Sequence, residues 1–186
     1  QHLGRNVSSR LGVPLHEMAL WDPHALPDEN FINGADEARV VLWKGHCSVH
    51  TKFLPEHADQ MRARHPGITI LVHPECTNEV VDKADIWGST EKIIQTVDAA
   101  PAGSKWAIGT EINLVSRLSR KNPDKLVLSL SGINCLCATM YRVDPPHLLW
   151  ALDNLVEGHV VNRIVVDAET KRDAKLALDR MLALAP

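Results

Sequence analysis

SKWAIGTEINLVSRLSRKNPDKLVLSLS, residues 104–131, holds a strand, a helix and a second strand in 28 positions. SKWAIGT (104–110) is a compact apolar run and KLVLSLS (125–131) another. Between them EINLVSRLSRKNP (111–123) repeats apolar residues at three and four positions and stops at a proline, the pattern of an amphipathic helix. The same rhythm extends upstream. GITILVH (67–73) predicts a strand, CTNEVVDKAD (76–85) a short helix, and Ile86 with Trp87 a stub of strand. STEKIIQTVDAAP (89–101) predicts a helix with Ser89 or Thr90 as N-cap and Ile93, Ile94 and Val97 on its buried face. Strands that alternate with helices call for a parallel sheet built from βαβ units, an α/β fold.

Further out the pattern is looser. ARVVLW (38–43) predicts a buried strand, and HTKFLPEHADQMRARHP (50–66) a helix. HLGRNVSSRLG (2–12) spaces Leu3, Val7 and Leu11 as a short helix that Gly12 ends. Residues 13–36, rich in Pro, Asp, His and Asn, predict a long loop or insertion. PPHLLWALDNLVEG (145–158) predicts a helix with proline in its first turn and glycine at its end. NRIVVD (162–167) predicts a short strand and AETKRDAKLALDRMLALA (168–185) a long helix.

In open α/β sheets ligands bind beyond the carboxyl ends of the strands. Polar and soft side chains gather at five such ends: Cys47 and His50; His73, Glu75 and Cys76; Ser89 and Thr90; Thr110 and Glu111; Cys135 and Cys137. Cys47 and His50 at a helix entry suit a thiolate, or a buried cysteine with a capping histidine. His73 and Glu75 suit an acid/base pair, or an ordinary polar turn stiffened by Pro74. Gly88-Ser89-Thr90 suits an anion at a helix N-terminus, or a plain cap. Glu111 suits a bond to backbone at a helix start. Cys135 and Cys137, followed by Met140, offer soft ligands. Zinc wants four ligands and iron–sulfur clusters normally four thiolates. No CxxC pair occurs, so spacing leaves the metal open.

The whole-chain numbers remove other classes. Four cysteines in 186 residues are too sparse for a disulfide scaffold, which points to a reducing compartment, the cytoplasm. A net charge of -3 with no basic stripe excludes a nucleic-acid surface. No apolar run approaches the roughly 20 residues of a membrane span. The chain opens at Gln1 inside a helical pattern, as expected of a fragment without its N-terminal part.

Taken together the motifs resemble the quinolinate synthase family, the A protein of de novo NAD biosynthesis. The matching stretches are HLGRNV (2–7), WKGHCSVH (43–50), HPEC (73–76), GST (88–90), GTE (109–111) and CATM (137–140), in the family's order and over essentially the whole chain. The resemblance implies three αβα units, each a three-layer arrangement with a small parallel sheet. Residues 1–47 would be the C-terminal half of the second unit. Residues 48–137 would be the third, the only complete one. Residues 138–186 would be a return segment that packs on a missing first unit. It also implies a transferase that condenses iminoaspartate with dihydroxyacetone phosphate to quinolinate. A 4Fe–4S cluster would act as Lewis acid, and L-aspartate oxidase or dehydrogenase would hand over the first substrate. Cys47 and Cys137 would be cluster ligands, with the third cysteine upstream of this chain; Cys76 and Cys135 would be bystanders. Glu75 and His50 would be catalytic, and His50, His73, Glu75, Ser89 and Thr90 would bind substrate. The fragment alone would be inactive.

Two other readings stand beside this one. The first is a stand-alone zinc-binding α/β module using Cys47, Cys135, Cys137 and His50. The second is a metal-free domain that binds a phosphorylated metabolite. Truncation would leave Leu3, Val7 and Leu11, and Leu176, Leu178, Met181 and Leu182, partly bare, so poor solubility is expected.

Overall fold

The computed structural model describes residues 1–26, 28–32, 34, 36–132 and 136–184. It divides into two compact units, Gln1–Ala138 and Thr139–Pro186. The first carries α1 (His2–Arg10), β1 (Met18–Trp21), β2 (Phe31–Ile32), β3 (Val40–Trp43), α2 (Pro55–Arg64), β4 (Thr69–Val72) and α3 (Asn78–Lys83). It continues with β5 (Ile86–Trp87), α4 (Thr90–Ala99), β6 (Lys105–Gly109), α5 (Ile112–Lys121) and β7 (Leu126–Ser129).

The four strands β5-β4-β6-β7 form an all-parallel sheet in that order. Neighbouring strand residues point to opposite faces, and the core divides accordingly. Ile70, Val72 and Ala107 join Met61 of α2 and Val80 and Val81 of α3 in one cluster. Leu71, Trp106 and Ile108 join Ile93 and Val97 of α4 and Val115 and Leu118 of α5 in the other. Helix, sheet and helix therefore stack as three layers, the expected α/β arrangement. Each fully buried Ile or Leu contributes roughly 1.5–3 kcal/mol. Both faces of the sheet are apolar because both are covered.

Three expectations need correction. Met18–Trp21, inside the expected loop 13–36, is a strand paired in parallel with β3 from Met18↔Val40 to Trp21↔Trp43. Phe31–Ile32 flanks it antiparallel. MALW is too short to show a period, yet Met18 and Ala19 are buried. The expected helix 50–66 divides into a 3-10 turn, His50–Lys52, and α2. Pro55 holds Leu54 extended (φ -117°, ψ 151°) and breaks the run there. Residues 162–167 form no ladder, and Ile164 and Val165 are exposed, since an extended run without a neighbour has nothing to pair with. The second unit consists of α6 (Pro145–Val156), capped by the Asp144 carboxylate accepting from the His147 N–H, and α7 (Ala168–Leu184).

Candidate functional site

Three strand ends meet at one place. His50 follows β3 in the 3-10 turn and is buried. His73 and Glu75 follow β4, and Thr110 follows β6. The imidazoles of His50 and His73 stack with centroids 4.6 Å apart and planes 16° from parallel. His50 Nδ1 lies 2.9 Å from Glu75 Oε2 without the alignment of a hydrogen bond. His50 Nε2 lies 3.3 Å from the Thr110 hydroxyl.

The HPEC turn is fixed by local bonds. The Glu75 N–H donates to His73 Nδ1 at 3.2 Å, and the Cys76 N–H donates to the His73 carbonyl at 3.0 Å. Because His73 Nδ1 accepts, the neutral ring carries its proton on Nε2. The His73 N–H donates to the Gly109 carbonyl at 3.1 Å. A Cβ at Gly109 would stand 2.9 Å from Val72 Cγ1 and 3.1 Å from Leu130 Cδ2. Glycine there lets β6 run close beneath this turn.

Burial sets the charge of the site. It lowers the His50 pKa to about 4, with the His73 ring adding to the shift and Glu75 opposing it. Burial lowers His73 as well, again against Glu75. At neutral pH both rings are therefore uncharged. Burial pushes the Cys76 thiol up to about 12, and its Sγ donates to the Gly109 carbonyl at 3.6 Å. Cys76 stays a protonated core thiol.

Cys47 is half-buried, and its Sγ, a His50 ring nitrogen and a Glu75 carboxylate oxygen all lie within 4.8 Å of one another. This sulfur, nitrogen and oxygen set could hold a metal ion. Cys137 is buried in the core cluster against which Cys47 packs, and it is not one of the three donors that converge. Cys135 lies outside the described residues. Ser89 caps α4, its hydroxyl accepting the Lys92 N–H at 3.2 Å. Ser89 and Thr90 are exposed at the end of β5, beside β4. Among the described residues no hydrogen bond joins them to His50, His73 or Glu75. Glu111 accepts from the Asn113 N–H at 2.8 Å and its side-chain amide at 3.0 Å, the helix-start role. The contact to His50 comes instead from Thr110. Its signal was a hydroxyl straight after the last glycine of a strand.

Among the described residues no helix is long and apolar enough to cross a membrane. A sequence model of the family described as "Quinolinate synthetase A protein" matches residues 1–183. The chain is 52% identical over 186 residues to the quinolinate synthase of Herpetosiphon aurantiacus, covering 100% of this chain and 50% of that protein. It is 54% identical to that of Anoxybacillus flavithermus, with 100% and 50% covered. It is 55% identical to that of a Nocardioides species, with 99% and 47% covered. The chain spans about half the length of these curated relatives. With that family model matched over residues 1–183 and relatives about half identical over the whole chain, the chain belongs to the quinolinate synthetase A protein family.

Proposed function

We propose that this chain forms part of a quinolinate synthase that condenses iminoaspartate with dihydroxyacetone phosphate. The observation that carries the reading is the convergence of Cys47, His50 and Glu75 beside the stacked His73 ring. Iminoaspartate arises by oxidation of aspartate, so an L-aspartate oxidase or dehydrogenase is the enzyme that supplies it.

A 4Fe–4S cluster suits the donors. Cys47 and Cys137 are soft ligands associated with one core cluster, and Cys76, fully buried with its Sγ turned to the Gly109 carbonyl, is left out of the set. The third thiolate belongs to the remainder of the enzyme, for which the relatives' length leaves room. When bound, the cluster supplies a Lewis-acidic iron that polarises the substrate. On this reading residues 1–47 close one αβα unit, 48–137 make the next, and 138–186 pack elsewhere in the enzyme. Its free thiols support a reducing compartment, the cytoplasm.

The chain's own residues handle protons and carboxylates. Glu75, 37% exposed at its side chain, reaches solvent and contacts the buried His50. A carboxylate so placed takes a proton from substrate and returns it to the hydroxyl that leaves as water. His73, with its proton on Nε2, donates to a substrate carboxylate or hydroxyl. His50, neutral and backed by Thr110, does the same from the other side. Ser89 and Thr90 hold the phosphate-bearing substrate at the N-terminus of α4. The 186-residue chain by itself makes no quinolinate, because one cluster ligand is elsewhere.

Anaerobic reconstitution with iron and sulfide tests this, on the chain and on a form extended to the length of its relatives. The extended protein should hold four irons and form quinolinate. The donor trio of Cys47, His50 and Glu75 also suits zinc. One tightly bound zinc in the short chain, unchanged by the extension, would replace the cluster reading with a zinc module.

A further inference from the structure

Asn6 lies in the middle of α1, 3% exposed, and its side chain reaches 68 and 70 positions along the sequence. Its amide nitrogen donates to the Pro74 carbonyl at 2.8 Å and to the Cys76 carbonyl at 2.9 Å. Those two carbonyls stand on either side of Glu75. The reverse orientation of the amide would set an oxygen against two oxygens, so the network fixes it. Asn6 Oδ1 is then left buried with no partner among the described residues. A buried orphan acceptor is destabilising, and an apolar residue would fill the space without it. What the amide supplies in return is two charge-free bonds to one turn.

We propose that Asn6 is the positioning residue for Glu75: its amide ties α1 to the carbonyls bracketing Glu75 and so sets where that carboxylate lies against His50. The proposal deepens the functional reading above and rests on it for the role of Glu75. The turn is also held to β6, where the His73 N–H and the Cys76 Sγ both meet the Gly109 carbonyl, but neither bond brackets Glu75 as the two from Asn6 do. The bonds from the Glu75 and Cys76 N–H groups return to His73, so they close the turn on itself. Asn6 is what anchors it to α1.

The test uses Asn6→Asp, which keeps the volume and removes both donors, and Asn6→Gln, which keeps the donors. Amide hydrogen exchange is measured on the chain without substrate. In Asn6→Asp the Cys76 amide should exchange about tenfold faster or more, while Ile70 and Ile108 in the sheet keep their protection. In the reconstituted, extended enzyme kcat for quinolinate should fall roughly 10- to 100-fold with KM changed far less, as for a misplaced catalytic group. Asn6→Gln should recover part of both. Exchange at Cys76 that stays at the wild-type rate, or that rises equally at Ile70 and Ile108, would overturn the proposal and leave Asn6 a packing residue. Should Asn6→Asp fail to fold, the wild-type chain carries the test: both Asn6 side-chain protons must exchange about tenfold slower than a free amide or more, and free exchange overturns it. If the extended wild type makes no quinolinate, the functional reading fails, and the exchange data still decide what Asn6 does.

Discussion

At the scale of the residue, His50 couples the fold to pH. Its folded pKa lies at about 4, against an ordinary 6.5. Between those values the unfolded chain binds a proton at this ring that the folded chain does not. Stability therefore rises with pH through the window from about 4 to 6.5, and is lost as pH falls through it, by at most about 1.4 kcal/mol per pH unit from this group. Urea midpoints of the metal-free chain at pH 7 and 4.5 should show this loss, and His50→Gln should show a smaller one. Equal losses in both proteins would place the acid sensitivity elsewhere. The carboxylate beside the ring carries a second prediction. Glu75→Gln keeps the shape and removes the base, so the extended enzyme should lose roughly 10²–10⁴-fold in kcat while still holding its iron. Lost iron together with lost activity would make Glu75 a ligand instead. The sequence made these residues legible one strand end at a time. It did not show that His50 and Thr110, 60 positions apart, touch, since they follow strands of two different sheets that only tertiary packing brings together. Asn6 was quoted within HLGRNV but was silent for the same reason.

At the scale of the element, the strand–helix alternation from 67 to 131 was legible because both faces of the sheet are covered and its strands read as continuous apolar runs. β1 was not, because four residues amid polar sequence carry no period. One junction that secures this layer was invisible. Lys125 Nζ donates to the Val97 and Asp98 carbonyls at the end of α4, at 2.7 and 3.0 Å, and to Asn122 Oδ1 at 3.0 Å. Asn122, buried after α5, donates to Asp98 Oδ1 at 3.0 Å and to the Leu118 carbonyl at 3.1 Å. A cation on the last carbonyls of a helix satisfies orphan acceptors and complements the dipole. Lys125→Met and Asn122→Ala should each cost about 1–2 kcal/mol in chemical denaturation. The double variant should cost less than their sum, because the two share one hydrogen bond. Full additivity would show that the junction does not act as a unit.

At the scale of the whole molecule, the apolar surface is uneven. Leu3 and Val7 on α1 and Leu11 just after it are 45%, 39% and 79% exposed. In the second unit Leu148, Leu149, Leu152 and Leu155 of α6, and Leu176, Leu178, Met181 and Leu182 of α7, are each between 49% and 59% exposed. Contiguous apolar patches beyond a few hundred Å² are uncommon on monomers and mark contact surfaces. A net charge of only -3 gives little repulsion to keep copies apart. The 186-residue chain should therefore self-associate as its concentration rises, while the extended protein, with more surface to cover these helices, should do so less. Light scattering over a concentration series separates the cases. Growth of mass with concentration in the short chain alone locates the missing contacts in the added sequence. Equal growth in both would make the helices an interface between copies. A monodisperse short chain at every concentration would mean that α6 and α7 need no further partner to keep their leucines from water.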